Sequence, residues 1–442
     1  MTQVMRHPSL VMWGGGNENW EINGADEALF LVGRRCRQYD PTRPYHRTDP
    51  WAGSIHNWSA FHNGEPFDVS FNRLPSVWLG EFGCPSMNNY QECLKFLPES
   101  KLKTWPPAQD DGGILMHMNQ FGYGDMAKVM RYADYGPIES WPQYIEYSQM
   151  AQGDEISYAT CLQRAGSYFN KGGTWFYKMT DLFPGHSWAV VGFYAAPKLS
   201  YYRAKQVYQP QAAFAYYKKY DWEPNEAFEA TVYVSNDAGQ PLKQANVTAT
   251  VYGSDLKPLL EKQYPVASVG VSKRAKLDQI RLPLPADKIK PFLMAVSMRN
   301  AKGQLLSDQW YWFNFRAKTD AVKEVEKNPA WGLSHDKAPD AFKAYGSLPE
   351  ARLLTLPKTT LTAIVQREGR HGVLKIENRG DIPAFNVIID HFPFAYGNFL
   401  EDNSFCLYPH ETREIAFDLA DDKTTLDAVT VKAWNSEVVT PR

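Results

Sequence analysis

What this 442-residue chain has little of narrows its class first. Net charge is one shortage: 47 Lys and Arg stand against 49 Asp and Glu. The resulting −2 gives no reason to expect a nucleic-acid or anionic-membrane partner. Long apolar runs are another, since no stretch approaches the roughly 18 residues of a membrane span. The opening residues MTQVMRHPS lack the apolar segment of a secretory signal, and the compartment stays open. Cysteine is sparse and unpatterned: Cys36, Cys84, Cys93, Cys161 and Cys406 form no Cys-x-x-Cys pair and no zinc spacing with histidine. Free, buried thiols are expected, with no metal and no cofactor. The glycines at 14–16 precede no Lys-Ser/Thr, which excludes a phosphate loop, and no Gly-x-Ser-x-Gly elbow marks a serine hydrolase. Aromatics are plentiful at 14%. Such rings serve as flat apolar platforms for sugars, and a large core uses them as well.

Along the chain, residues 1–209 alternate helical and short apolar segments, the pattern of a parallel β/α architecture. Ser9–Trp13 reads as a strand buried on both faces, and so do Ser76–Phe82 (SVWLGEF) and Gly173–Met179 (GTWFYKM). Helices are predicted over Ala25–Tyr39, Tyr144–Phe169 and Ala196–Tyr208. From 210 to 316 the texture turns to period-two alternation, as in FEATVYV and ANVTATVY, which predicts a β-sandwich. Residues 317–350 carry charge, Pro and Gly and read as a connector, and 351–442 read as a second sandwich.

Two strand ends raise a chemical question. After Trp13 come three glycines and then Asn17-Glu18-Asn19; SVWLGEF ends on Glu81-Phe82 before Gly83. A buried strand finishing in a carboxylate is costly unless the carboxylate is paired or used. Two glutamates on separate strands of one β/α unit are the minimum equipment for glycoside hydrolysis. Each alone could be a loop carboxylate satisfied by backbone; together, beside glycine, they point to a site. His46, His56 and His62 sit in expected loops without ligand spacing, so sugar-hydroxyl contacts or plain loop roles are predicted rather than metal binding. Trp58 reads equally as a sugar platform or as core.

These motifs carry a resemblance. RHPSLVMWGGGNEN resembles the acid/base segment of glycoside hydrolase family 2, and VWLGEFGCPS resembles its nucleophile segment. Residues 55–67 (IHNWSAFHNGEPF) are similar to a loop of the β-mannosidase branch. YSQMAQGDEI, the stretch from Gly172 to Lys205 and the tail NSFCLYPHETREI also resemble β-mannosidases and the related exo-β-glucosaminidases. The resemblance implies Glu18 as general acid/base, Glu81 as nucleophile and Asn17 on the 2-hydroxyl of the sugar. Trp58, His62 and Tyr177 are the further substrate-binding candidates. An apolar wall around Glu18, with negative Glu81 nearby, is expected to keep Glu18 protonated. Two departures stand out. The tyrosine that usually precedes the nucleophile strand is absent, with Phe71 or Ser70 on offer, and Tyr177-Lys178 replaces the branch's Trp-Gln.

The implied fold is multidomain α/β plus all-β: strands 4–8 of a (β/α)8 TIM barrel, then two immunoglobulin-like sandwiches. The first three strands and the natural N-terminus would lie outside this chain, leaving two open barrel edges for a partner chain or self-association to cover. The implied activity is a retaining exo-β-glycosidase on terminal β-mannosides. An exo-β-glucosaminidase or other β-glycosidase is the alternative, and a non-catalytic remnant or carbohydrate-binding protein is a third.

Overall fold

The computed structural model describes residues 3–19, 25–62, 66–73, 77–108, 111–118, 135–136, 138–166, 172–223, 226–284, 291–315 and 355–442. These are mostly β-sheet with few helices. The predicted connector at 317–350 lies outside them, as does Ser76.

The N-terminal part is built on short parallel strands. Strand β1 (Trp13–Gly14) pairs with β2 (Tyr45–His46), and a bridge from Asn17 to Asp49 extends the pairing. A second parallel sheet runs in the order β3 (Ser54–Asn57), β4 (Trp78–Phe82), β5 (Gly173–Thr174). Parallel neighbours need long crossovers. They are supplied by α1 (Ala25–Tyr39), α2 (Ser59–His62), α3 (Phe67–Arg73), α4 (Tyr90–Cys93), α5 (Gly112–Leu115) and α6 (Trp141–Ala165), with α7 (Leu199–Val207) after β5. Helix α1 forms over the predicted residues, its Asp26 and Glu27 at the positive end and Arg37 at the negative end of the helix dipole.

Three predicted elements differ. Ser9–Trp13 is not a buried strand: only Trp13–Gly14 pairs, and Val11 is 75% exposed. The apolar run has one neighbour, β2, among the described residues, and nothing described covers its other edge. Helix α6 begins earlier than predicted because Ser140 accepts from the Gln143 amide as N-cap, with Pro142 in the first turn. It stops at Ala165 because Gly166 takes a left-handed conformation (φ 65°). The expected residues 167–169 lie outside the described set. Strand β5 is formally short, yet pairing to β4 continues through Trp175 N to Leu79 O and Tyr177 N to Phe82 O, both 2.9 Å.

Beyond α7 the strands lengthen and run mostly antiparallel. One sheet orders β10 (Pro258–Val269), β9 (Leu242–Tyr252), β12 (Phe292–Asn300), β13 (Leu305–Phe315) and β7 (Asp221–Trp222). Facing it are β11 (Lys273–Pro283), β8 (Ala227–Asn236) and β6 (Gln211–Tyr216). Alternation fills the space between them: Phe228, Val232 and Val234 from one sheet meet Phe292, Val296 and Phe313 from the other. A second pair of sheets follows. It comprises β14 (Leu361–Glu368), β15 (His371–Asn378), β19 (Thr412–Asp418) and β17 (Phe399–Leu400) against β18 (Phe405–Leu407), β16 (Ala384–Asp390) and β20 (Thr430–Lys432). Leu374, Ile376, Val387, Ile389, Ile415 and Val431 form its core.

Both sheet pairs grip the N-terminal part. Arg203 Nη2 donates to Trp310 O at 3.0 Å, and Lys432 Nζ meets Glu146 Oε2 at 2.7 Å. All five cysteines are free and buried. No described helix is long and apolar enough to cross a membrane.

Candidate active site

Glu18 is positioned by a chain reversal just past β1. Gly15 lies so close to the Tyr45 hydroxyl and the Arg47 carbonyl that a Cβ would overlap both. Glu18 itself takes φ 54°, a conformation that costs a non-glycine residue energy and is held by its amide donating to Asp49 O at 2.7 Å. Asp49 N donates in turn to Gly16 O at 3.1 Å, so two strand ends lock each other. Glu81 comes from the other sheet, where β3–β4 pairing sets His56 opposite it.

The three elements converge on one imidazole. His56 Nδ1 lies 2.7 Å from Glu18 Oε1 and 3.5 Å from Glu81 Oε2, and its Nε2 lies 3.0 Å from Asp49 Oδ2. The His56 side chain is 4% exposed, Glu81 19% and Glu18 46%. Asp49 also faces His46, at 3.6 Å. Gly80 makes room for this arrangement, because a side chain there would strike the Asp49 carboxylate. One oxygen of Glu18, one of Glu81 and a ring nitrogen of His56 all lie within 4.8 Å of one another. Asn17 lies beside Glu81. Burial pushes the Glu81 carboxyl above the usual glutamate range; His56 opposes this, Glu18 and Asp49 add to it, and Asn17 opposes it.

Beside the carboxylates stands a ring cluster. Trp58 is edge-on to Tyr177 at 5.8 Å, to Trp188 at 6.1 Å and to His62 at 6.4 Å. Tyr177 is exposed, and its hydroxyl is pushed up by burial and then by Glu81 and Asp181. The Lys178 ammonium rests over the Tyr177 ring at 5.4 Å. Trp58 and Tyr177 thus share one wall near Glu81, with His62 at its margin.

The segment after Glu81 is pinned from below. Gln152 on α6 donates to Cys84 O and Trp188 O, each at 2.9 Å. The fully buried Lys198 ammonium donates to Ser86 O at 2.9 Å and Ser187 O at 3.4 Å, tying the post-β4 and post-β5 segments together. Burial pulls its pKa down, against the pull of Asp181 and Glu92. Glu155, also on α6, is fully buried beside Cys84 with no hydrogen-bond partner of normal geometry on either oxygen. Burial pushes its carboxyl up to about 8, partly offset by the Cys84 thiol and amide.

The expectation of an apolar wall around Glu18 is corrected: its carboxyl is nearly half exposed and bonded to His56. It is Glu81 that burial acts on. His56 is no loop residue but the third position of β3, and Asp49 escaped sequence reasoning altogether. The signal was available in principle, since reading Ser54–Asn57 as a strand parallel to SVWLGEF places His56 opposite Glu81. Neither Phe71 nor Ser70 is seen to stand in for the tyrosine usual before the nucleophile strand. Both are buried on α3, where Ser70 Oγ donates to Asn57 Oδ1 at 2.9 Å and Phe71 packs edge-on against Phe82 at 5.6 Å. His56 meets a carboxylate at each ring nitrogen, Glu18 at Nδ1 and Asp49 at Nε2.

With this geometry in hand, the chain can be set beside known proteins. No family model matches it. It is 22% identical over 252 residues to β-mannosidase B of Thermothelomyces thermophilus, covering 47% of this chain and 29% of that protein. It is 21% identical over 297 residues to β-mannosidase B of Emericella nidulans, covering 59% and 33%. In fold it is similar to a β-D-mannosidase from Dictyoglomus thermophilum, with TM-score 0.74, 19% identity, and 98% of this chain on 49% of that one. The Amycolatopsis orientalis exo-chitosanase gives TM-score 0.68 and 16% identity, with 100% of this chain on 52% of that one. The chain therefore spans about a third of the length of these curated relatives and about half of these solved structures.

By sequence and by fold, then, the chain is similar to glycoside hydrolases. The named relatives are β-mannosidases by sequence, and a β-mannosidase and an exo-chitosanase by fold.

Proposed function

We propose that this chain carries the catalytic glutamates of a retaining exo-β-glycosidase that acts on terminal β-linked sugars, above all β-mannosides. The observation that carries the reading is the approach of Glu18 and Glu81, from separate parallel strand ends, to within 4.8 Å between carboxyl oxygens. A retaining mechanism wants the two carboxyl groups about 5–5.5 Å apart, with no room for a water between them. Glu81, the more buried and the one beside Asn17, attacks the anomeric carbon while Glu18, open to solvent where an aglycone would leave, protonates the departing oxygen. Water then cleaves the glycosyl–Glu81 ester as Glu18 takes its proton. Asn17 reaches the sugar 2-hydroxyl, and Trp58, Tyr177 and His62 line the sugar face.

In this reading β1–β5 are strands 4–8 of a (β/α)8 barrel, of which residues 1–209 are the C-terminal part. Residues 210–316 and 351–442 are immunoglobulin-like sandwiches, joined by 317–350. The free sides of β1 and β5, where Val11, Trp175 and Met179 are exposed, are then covered by further parallel strands, in the same polypeptide or a partner, or by self-association.

The test is covalent trapping with 2-deoxy-2-fluoro-β-mannosyl fluoride, followed by peptide mass mapping, beside turnover of aryl β-mannosides, β-glucosides and β-glucosaminides. The expected result is an adduct on Glu81 that is absent in Glu81→Gln. An adduct elsewhere would overturn the assignment. Faster turnover of glucosaminides would shift the substrate to the exo-β-glucosaminidase class. Binding of β-linked sugars with neither adduct nor turnover would leave a carbohydrate-binding protein.

A further inference from the structure

We propose that Asp49 and His56 form a positioning relay that holds one proton between His56 and Glu18, and thereby decides whether Glu18 carries it when substrate arrives. This rests on the reading of Glu18 as acid/base and Glu81 as nucleophile. His56 is hemmed in by carboxylates: Asp49 at 3.0 Å from Nε2, Glu18 at 2.7 Å and Glu81 at 3.5 Å from Nδ1. Among the described residues, His46, beyond Asp49, and Tyr177, beyond Glu81, are titratable groups that also face this set. The ring is 4% exposed, so water has little access to either nitrogen.

A neutral imidazole offers one donor and one acceptor. With Asp49 ionised and accepting from Nε2, it is satisfied against Glu18 in two ways. Either the ring carries both protons and Glu18 is ionised, or the ring keeps its proton on Nε2 and Glu18 donates its own O–H to Nδ1. The two forms differ by one proton moved along a 2.7 Å hydrogen bond, with no change in the net charge of the site. The first leaves a cation between the glutamates; the second presents the acid that the leaving oxygen needs. Asp49 selects the Nε2 proton in both forms, and its own place is fixed by the paired amides of Glu18 and Asp49 and by the space above Gly80. In glycosylation the Glu18 proton passes to the leaving oxygen, while His56 stays neutral and Asp49 keeps the Nε2 proton. In deglycosylation the attacking water returns a proton to Glu18, and the shared state is restored.

The experiment is a pH titration of the ring nitrogens of the whole chain labelled with ¹⁵N-histidine, read by long-range proton–nitrogen spectra, with His56→Gln identifying the signals. Turnover is not required. Glu18→Gln and Asp49→Asn should each lower the pH at which the His56 signals titrate, and Glu81→Gln should lower it less. Signals unmoved by Glu18→Gln would overturn the relay. A larger shift in Glu81→Gln than in Glu18→Gln would overturn it too, because the ring would then serve the nucleophile. Glu18→Gln, at a half-exposed position, keeps the test open if Asp49→Asn unfolds. In trapping, Asp49→Asn should displace the pH profile of Glu81 labelling, whereas a merely structural loss lowers it uniformly. Relay signals present without any labelling would reject the glycosidase reading, not the proton sharing.

Discussion

The parallel-strand region and the antiparallel sheets solve opposite problems. Strands β1–β5 run two to five residues each, whereas β8–β13 run nine to twelve. Long antiparallel strands satisfy most of their backbone groups in regular ladders, and their side chains alternate into a dry core of Phe228, Phe292 and Phe313, ring centroids 4.8–5.2 Å apart. Short parallel strands end early, and their ends must be tied by particular groups: the Asp49–Glu18 amide pair, Gln152 on two carbonyls, the buried Lys198. Chemistry collects where ladders stop, because a strand end can aim a side chain that a ladder would only pack. Stability and site geometry should therefore respond to different substitutions.

The largest separation is expected from Glu81→Gln. In an active, complete enzyme it should lower turnover by roughly 10⁴-fold or more on every substrate while leaving the melting temperature within a few degrees. Next, Phe292→Ala, removing a fully buried ring, should cost about 3–5 kcal/mol in denaturant unfolding while sparing turnover per folded molecule. Equal loss of activity and stability in both variants would break the comparison.

Glu155→Gln sharpens it at the border of the two regions. The folded-state carboxyl lies at about 8 against an ordinary 4.5, so between those values the folded chain holds a proton that the unfolded chain has released. Stability should then fall as pH rises from about 4.5 to 8, and level off above. The variant should remove this slope, and its advantage over the parent should grow to on the order of a few kcal/mol by pH 8. Parallel melting curves for the two proteins across that range would reject the burial argument.

Smaller, and selective, is Glu18→Gln. The glycosylation step on activated aryl glycosides should slow little, and on alkyl glycosides by about 10²–10⁴-fold, since only poor leaving groups need the proton. Identical losses on both would remove the acid role. Smallest is Trp58→Ala, expected to raise KM by roughly 5-fold through a lost platform of about 1 kcal/mol.

The same contrast explains what could be read beforehand. FEATVYV and ANVTATVY announce strands because period two persists over many residues, and β8 and β9 contain them. Glu81 was legible because it is the fourth residue of the five-residue β4. Asp49 and His56 were not, for a two-residue β2 and a four-residue β3 carry too little pattern to show which side chain faces which neighbour. Helix α6 was legible by its apolar content, but its start depended on the Ser140 cap and its end on Gly166. The exposed Val11 shows the converse, an apolar run that periodicity alone misassigns.

The five enclosed thiols make the molecule its own stopwatch. A disulfide reagent added to the native protein can react only during excursions that bring sulfur to solvent. The order in which the positions are consumed therefore ranks excursions by frequency. Cys36 sits on α1, a helix whose Phe30 and Leu31 are exposed, and should be taken early. Cys84 lies just past Glu81 and over Glu155, and its rate clocks how often the floor beneath the nucleophile candidate comes apart.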